Sequence, residues 1–150
     1  MKPLSQHGMS QNKKSIKLFL VAKNNHAVLT DFLAHYRRIG VNEFYIVDND
    51  STDDSREFLL QQPDVHLFHT TGHYGQNRSG MRWINNLLER YANNCWCLTV
   101  DIDELFIYPF YETMSLSQFC QYLDQCHYQG IYSLMLDVYD KKQPNKQVQQ

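Results

Sequence analysis

Residues 16–22 read Ile-Lys-Leu-Phe-Leu-Val-Ala, a nearly continuous apolar run with polar residues on either side. Such a run is typical of a strand that is buried on both faces of a parallel sheet. Apolar residues then recur at helical spacing as far as Ile39, and Gly40 stands where a helix end favours a left-handed residue. The chain is therefore predicted to open with a buried strand followed by a helix.

The same alternation continues along the chain. Further strands are predicted at residues 43–47, 65–68 and 95–100, with a last candidate at 131–138. Further helices are predicted up to Leu60, along the apolar positions from Ile84 to Tyr91, and after Ser115, whose spacing to Gln118 fits a capping box. Strands that alternate with helices predict an α/β fold, with a mostly parallel sheet and helices on both faces.

The length of 150 residues favours a single domain with a real core. We expect a mobile N-terminal segment at 1–15, the domain at 16–140 and a mobile polar tail at 141–150. The segment between residues 15 and 140 holds eight basic residues against all 16 acidic ones, a net charge of −8. Nucleic-acid binding needs a clustered basic face, so the charge pattern argues against nucleic acid as a partner.

The sequence lacks the features of a membrane or exported protein. No apolar run approaches the roughly 20 residues of a membrane span, and the polar N-terminus lacks the apolar stretch of a secretory signal. We therefore expect a cytoplasmic protein whose four cysteines are free thiols, with Cys95 and Cys97 packed in the core. A zinc site at the histidines around residue 69 is not favoured, since His66 and His69 point to opposite faces of a strand.

An acidic stretch, Asp101-Ile102-Asp103-Glu104, directly follows the fourth predicted strand. Alternate residues of an extended chain point the same way, so the Asp101 and Asp103 carboxylates are expected to converge. A divalent cation removes their repulsion, and Mg²⁺ typically uses one or two protein carboxylates while substrate phosphates and water fill its other positions. The competing interpretation is a solvated acidic turn, because Asp-x-Asp is a short pattern with many chance matches.

A second polar stretch, Asp48-Asn49-Asp50-Ser51, follows the second predicted strand and is expected at the same edge of the sheet. A carboxylate there can accept hydrogen bonds from ribose hydroxyls or a base N–H, whereas turn and helix-capping roles are the competing interpretation. Arg78 and Arg82, at the start of a helix, can reach a pyrophosphate, with a solvated helix face as the alternative.

Four ordered motifs resemble those of family 2-type glycosyltransferases. They are Val21-Ala22-Lys23-Asn24-Asn25, Ala34-His35-Tyr36-Arg37-Arg38-Ile39-Gly40-Val41, Tyr45-Ile46-Val47-Asp48-Asn49-Asp50-Ser51-Thr52-Asp53 and Trp96-Cys97-Leu98-Thr99-Val100-Asp101-Ile102-Asp103-Glu104-Leu105-Phe106. They are similar to the branch whose first strand ends in Lys-Asn-Glu and whose metal motif reads Asp-x-Asp-Glu. The resemblance covers residues 16–140, and it departs from the family's pattern at Asn25, where an acid is usual.

The resemblance implies a GT-A fold whose Rossmann-like half binds a nucleotide-diphospho-sugar with Mn²⁺ or Mg²⁺. It implies that Ala22 and Lys23 line the nucleotide pocket, that Asp48 contacts the base or ribose, and that Asp101 and Asp103 hold ribose and the metal-pyrophosphate. The candidate nucleotide-binding residues are Ala22, Lys23, Asn25, Asp48, Asp50, Arg82 and Asp101, and the candidate metal ligands are Asp103 and Asp101.

The resemblance further implies transfer of the sugar, with inversion, to a glycan or lipid acceptor. The family's acceptor-binding half and catalytic carboxylate follow the matched region, so no general base is assigned in these 150 residues. We therefore expect a truncated form that binds a donor without transferring sugar. A non-catalytic binding or assembly module is the alternative, and a nucleotidyltransferase, which also uses paired carboxylates, is a third interpretation.

Overall fold

The computed structural model describes residues 1–5, 15–78 and 80–136. These residues contain five strands, β1 (Lys2–Ser5), β2 (Lys17–Ala22), β3 (Glu43–Asp48), β4 (Val65–His69) and β5 (Cys97–Thr99). They also contain four helices, α1 (His26–Ile39), α2 (Ser55–Leu60), α3 (Met81–Tyr91) and α4 (Leu116–Gln125), and a 3-10 turn at Gly75–Asn77. Within these ranges, none of the helices combines the length and apolar content that a membrane span requires.

The strands form one mixed sheet in the order β1-β4-β3-β2-β5. β2 pairs in parallel with both β3 and β5, β3 pairs in parallel with β4, and only β1 is antiparallel to its neighbour β4. The chain runs outward from β2 through β3 to β4, and β5 then returns to the other side of β2. The predicted α/β fold with a mostly parallel sheet is confirmed, and the strand order reverses at β2.

Hydrophobic layers cover both faces of the sheet. Side chains alternate along β3, where Phe44 and Ile46 join one buried cluster while Tyr45 and Val47 join another. The first cluster includes the buried residues of α1 and α4, and the second includes those of α3. The prediction of helices on both faces is therefore confirmed.

Two predicted helix signals have the expected geometry. Gly40 ends α1 with a left-handed φ of 114°, and its N–H donates to the carbonyl oxygens of Tyr36 and Arg37. At the start of α4, Ser115 Oγ accepts from the N–H of Gln118, and Gln118 Oε1 accepts from the N–H of Ser115 at 2.9 Å. The capping box is therefore confirmed, and it satisfies backbone donors that a helix start leaves without partners.

The first residues of the chain differ from the prediction. Residues 2–5, predicted as part of a mobile segment at 1–15, form β1, and Ser5 Oγ donates to the carbonyl oxygen of Val65 at 3.3 Å. Lys2-Pro3-Leu4-Ser5 has no apolar run, so periodicity does not reveal a strand that pairs through its backbone at a sheet edge. Residues 6–14 lie outside the described ranges.

The last two predicted strands are shorter or absent. β5 covers only Cys97–Thr99 of the predicted 95–100. The strand predicted at 131–138 is wrong for residues 131–136, which have no strand geometry and whose Leu134 side chain is 90% exposed. An apolar run forms a strand only where a neighbouring strand pairs with it. Residues 137–140 of the predicted domain and the predicted tail at 141–150 lie outside the described residues.

Candidate functional site

A cleft of about 360 Å³ opens at the carboxyl ends of the central strands, beside the point where the strand order reverses. It is lined by Val21, Ala22, Lys23, Asn25, Asn49, Tyr74, Asp101, Ile102 and Asp103. Small-molecule sites in open α/β sheets lie at this position, and their volumes are typically about 300–1,000 Å³. Five predicted site residues are thereby brought together in one wall, namely Ala22, Lys23, Asn25, Asp101 and Asp103.

Side-chain hydrogen bonds hold the loop after β2 against the loop after β3. The N–H of Asn24 donates to Ser51 Oγ, and the N–H of Asn25 donates to Ser55 Oγ, both at 3.0 Å. In the reverse direction, Asn24 Oδ1 accepts from the N–H of Thr52 at 2.7 Å. These contacts position both loops at the rim of the cleft. Asn24 adopts a left-handed φ of 54°, which asparagine tolerates better than most residues.

Asn25 closes the loop after β2 through its side chain. Its Oδ1 accepts from the N–H of Lys23 at 2.8 Å, and Asn25 also precedes the first turn of α1. This bond requires a side-chain oxygen acceptor, which an amide supplies as well as a carboxylate. Asn25 therefore makes this loop contact without adding a negative charge to the cleft.

The acidic stretch forms a turn instead of an extended strand. β5 ends at Thr99, the N–H of Glu104 donates to the carbonyl oxygen of Asp101 at 3.1 Å, and Glu104 Oε2 accepts from the N–H of Asp101 at 3.0 Å. The prediction that Asp101 and Asp103 converge because side chains alternate along an extended strand is therefore wrong in its reason. Both nevertheless line the cleft, because the turn places them there.

Tyr36 connects this acidic turn to helix α1. The side chain is fully buried, and its hydroxyl donates to the carbonyl oxygen of Glu104 and accepts from the N–H of Phe106, each at 3.1 Å. Burial raises the pKa of Tyr36 to about 12, so the phenol stays protonated and keeps its donor at neutral pH. Tyr36 belongs to the helical stripe that ends at Ile39, and helical periodicity does not reveal a polar contact at the end of a buried side chain.

The acidic turn at residues 101–104 concentrates negative charge at one end of the cleft. Burial raises the pKa of Asp101, and the neighbouring Glu104 and Asp103 carboxylates raise it further. A cation bound there would remove this repulsion, and carboxylate oxygens are the ligands that Mg²⁺ and Mn²⁺ prefer. Among the described residues no three His, Cys, Asp or Glu side chains are grouped to hold a metal. Two carboxylates match the number that Mg²⁺ commonly takes from a protein when it also binds phosphates.

Asp48 is the last residue of β3, and both oxygens of its carboxylate have partners within the protein. Its side chain is 1% exposed and does not line the cleft. Asp48 Oδ1 accepts from the N–H of Ser51 at 3.0 Å, and Oδ2 accepts from the guanidinium of Arg56 at 2.7 Å. Both carboxylate oxygens therefore hold the loop after β3, and the predicted contact with the nucleoside stays a prediction.

Asp48→Asn is expected to lower the free energy of unfolding by about 1–2 kcal/mol, because it weakens bonds to a charged group while Arg56 remains partly solvated. Urea denaturation measures this change. Asp54→Asn is the matched control, since Asp54 is exposed and makes no side-chain capping bond to α2. Equal losses in the two variants would contradict the structural role of Asp48.

Asp50 and Arg82, the other two candidate residues, also lie outside the lining of the cleft. Asp50 is half exposed, and its Oδ1 lies 3.3 Å from His69 Nε2 and 3.8 Å from a guanidinium nitrogen of Arg56. Arg82 is exposed in the first turn of α3. Neither side chain is brought to the acidic turn in this structure.

Four residues of the cleft were not among the predicted site residues, namely Val21, Asn49, Tyr74 and Ile102. Asn49 Nδ2 donates to the carbonyl oxygens of Gly72 at 2.9 Å and Thr70 at 3.3 Å, which joins the loop after β3 to the loop after β4. Asn49 belongs to the polar stretch after β3, so the sequence did contain a signal for it. Tyr74 lies in an irregular loop where no periodic pattern applies.

Tyr74 and Gly80 shape one wall of the cleft. Tyr74 also lines a neighbouring cleft of about 200 Å³, and Val21 and Asp101 line both clefts as well. Gly80 has a φ of 78°, and a Cβ atom there would lie 2.9 Å from Val21 Cγ2 and 3.0 Å from Tyr74 Cε2. The glycine therefore allows Tyr74 to pack beside Val21.

Comparison of the sequence with models of known protein families finds no match, and comparison with curated proteins finds none either. The function is therefore inferred from the cleft and from the motifs that line it. The structure shows a mostly parallel α/β sheet with a carboxylate-lined cleft at the reversal of its strand order.

Proposed function

We propose that the cleft binds a nucleotide-diphospho-sugar through Mn²⁺ or Mg²⁺ held chiefly by Asp103, with Asp101 as the second carboxylate. The observation that supports this most is the meeting of Asp101 and Asp103 with Ala22 and Lys23 in one cleft at the strand reversal. When bound, the cation would act as a Lewis acid and neutralise the charge on the leaving nucleoside diphosphate.

The residues around the two carboxylates have complementary roles in this proposal. Ala22 ends β2 with a small side chain, which leaves space for a base or ribose. Lys23 is exposed at the rim, where its ammonium group can attract a phosphate. Asn25 and Asn49 hold the loops through hydrogen bonds to backbone groups. Asp48 contributes by fixing the loop after β3.

We propose that this domain is the donor-binding part of an inverting glycosyltransferase that acts on a glycan or lipid acceptor. Donor binding needs the cleft alone, whereas transfer also needs a general base within hydrogen-bond reach of the acceptor hydroxyl. None of the described residues is assigned that role. The activity proposed for these residues is therefore donor binding.

An assembly module is the second candidate function, and the exposed apolar residues at 131–136 favour it. Tyr132 and Leu136 are fully or largely exposed, as are the Leu134 and Met135 side chains between them. Exposed apolar patches of this kind often mark contacts with other proteins. This function would require no affinity for nucleotides.

Titration of the full chain with UDP, GDP and dTDP, with and without Mn²⁺, tests the proposal. We expect one nucleoside diphosphate to bind in the presence of Mn²⁺ and to lose most of its affinity when the ion is chelated. Absence of binding in all six titrations would favour the assembly module. UTP, GTP and dTTP are titrated in parallel, and tighter binding of a triphosphate than of its diphosphate would favour a nucleotidyltransferase. Calorimetry measures the affinities and the stoichiometry.

The pH dependence of the same titration gives a second result. The cation binds deprotonated carboxylates, and the pKa of Asp101 is raised by its burial and by Glu104 and Asp103. On acidification, the Mn²⁺-dependent affinity should therefore begin to fall at a higher pH than the titration range of an isolated aspartate. In the metal-free chain the quantity to follow is stability. Its free energy of unfolding should rise on acidification, because protonation of Asp101 relieves repulsion in the folded state.

A further inference from the structure

A pair of thiols lies at the opposite end of the sheet from the cleft. Cys95 and Cys97 flank Trp96 at the start of β5, and their Sγ atoms are 3.7 Å apart. Both are free thiols and both are half-buried. Cys97 pairs in register with Lys17, the first residue of β2, whereas the cleft lies beyond Ala22 at the end of that strand.

Lys17 brings a buried positive charge to this group. Its side chain is 7% exposed, and Nζ donates to the carbonyl oxygen of Tyr91 at 2.9 Å and lies 5.5 Å from the centre of the Tyr45 ring. In the described part of the chain Lys17 forms no ion pair with a carboxylate. A buried ammonium without such a pair favours negative charge on a nearby group.

Glu43, the register partner of Lys17 on β3, is engaged elsewhere. Its carboxylate accepts from Ser15 Oγ at 2.8 Å and from the Tyr45 hydroxyl at 3.0 Å, and it lies 3.3 Å from His66 Nε2. The Lys17 charge also acts on Cys97, its register partner on β5. Burial and Cys95 raise the pKa of the Cys97 thiol to about 12, while the Lys17 charge acts to lower it.

We propose that Cys95 and Cys97 bind one soft monovalent metal ion, Cu(I) or Ag(I), as a pair of thiolates. Thiolates select soft ions, and monovalent ions of this class accept two ligands. Zinc fits less well, because structural zinc takes four protein ligands and no group of three His, Cys, Asp or Glu is found among the described residues.

The geometry requires only a small movement. With metal–sulfur bonds of about 2.3 Å, as in zinc thiolates, a linear arrangement separates the sulfurs by about 4.6 Å. The observed 3.7 Å corresponds to a bent arrangement, and it can widen through rotation of the cysteine side chains. Two thiols on one short segment therefore provide both ligands without any change in the sheet.

The charge balance also fits this site. Two S–H bonds break, two metal–sulfur bonds form, two protons pass to solvent, and no atom changes its oxidation state. The resulting complex has a charge of −1, which the buried ammonium of Lys17 offsets. Core packing, the competing role for the two cysteines, explains their burial but not the combination of paired thiols with an adjacent buried cation.

Competition with the coloured chelator bicinchoninate for Cu(I) tests the proposal, under anaerobic conditions after reduction of all thiols. The Cys120→Ser/Cys126→Ser double variant retains Cys95 and Cys97. Like the unmodified chain, it should take one equivalent of Cu(I) from bicinchoninate. The Cys95→Ser/Cys97→Ser double variant should withdraw none. Circular dichroism verifies that each variant is folded, and the single variants Cys95→Ser and Cys97→Ser provide the comparison if the double variant does not fold.

The pH dependence of the competition supplies a second readout. Because two protons leave, the apparent affinity should rise about 100-fold per pH unit while both thiols are protonated. Equal Cu(I) binding by the two double variants would overturn the proposal, and so would an unmodified chain that withdraws no Cu(I). Nucleotide binding is independent of this result, since the pair lies at the other end of the sheet.

Discussion

Asp103→Ala is expected to abolish the Mn²⁺-dependent part of UDP or GDP binding while leaving the fold intact. Asp103 lines the cleft and is exposed, and among the described residues its carboxylate makes no hydrogen bond or ion pair. Removing residues that only support a metal ligand typically costs about 10- to 100-fold in affinity, so loss of a direct ligand should cost at least roughly 100-fold. Calorimetry with and without Mn²⁺ measures the change.

Asp31→Ala is the matched control for this substitution. Asp31 is an exposed aspartate on α1 outside the lining of the cleft, so its removal changes the net charge equally without removing a proposed ligand. We expect the control to bind the nucleotide as the unmodified chain does. If Asp103→Ala and Asp31→Ala bind UDP and GDP equally well in Mn²⁺, Asp103 is not the metal ligand.

Gly80→Ala should lower the free energy of unfolding by about 2–5 kcal/mol. The left-handed backbone costs an alanine about 1–2 kcal/mol, and overpacking a filled site typically adds about 1–3 kcal/mol. The added Cβ would meet Val21 Cγ2 on β2, and Tyr74 must move from its place in the wall of the cleft. Urea denaturation should therefore show a lower midpoint, and nucleotide affinity should fall in the fraction that is folded.

Gly75→Ala provides the comparison, since Gly75 lies in the same connection and no atom lies within 4 Å of a Cβ added there. Its φ is also outside the left-handed range. This variant should retain the stability and the affinity of the unmodified chain. A Gly80→Ala variant as stable as Gly75→Ala would show that the wall around Tyr74 rearranges at no cost.

The main elements of the fold could be predicted because their physical signals are local. A buried central strand such as β2 needs apolar residues on both faces, and α1 shows its buried stripe at helical spacing before Gly40 ends it. The sequence did not reveal β1, and it wrongly predicted a strand at residues 131–136. Both depend on pairing with a distant segment, which the residues themselves do not specify.

The site was predicted less completely, for a related reason. The predicted residues that line the cleft lie at or just after strand ends, and topology alone brings strand ends together. Asp48 is the last residue of β3, but a neighbouring arginine and a backbone N–H occupy its carboxylate. Which of two acidic residues faces a ligand is decided by side-chain contacts of this kind, and residue spacing does not encode them.

The hydroxyl of Tyr36 links the acidic turn to the hydrophobic core. It bridges the carbonyl oxygen of Glu104 and the N–H of Phe106 from within α1. A ligand that orders the acidic turn therefore also stabilises the helix, and by thermodynamic reciprocity a loosened helix binds that ligand more weakly. Under the proposed function, core residues of α1 that never touch a nucleotide would thus help to determine its affinity, so that close packing of the interior would also serve binding.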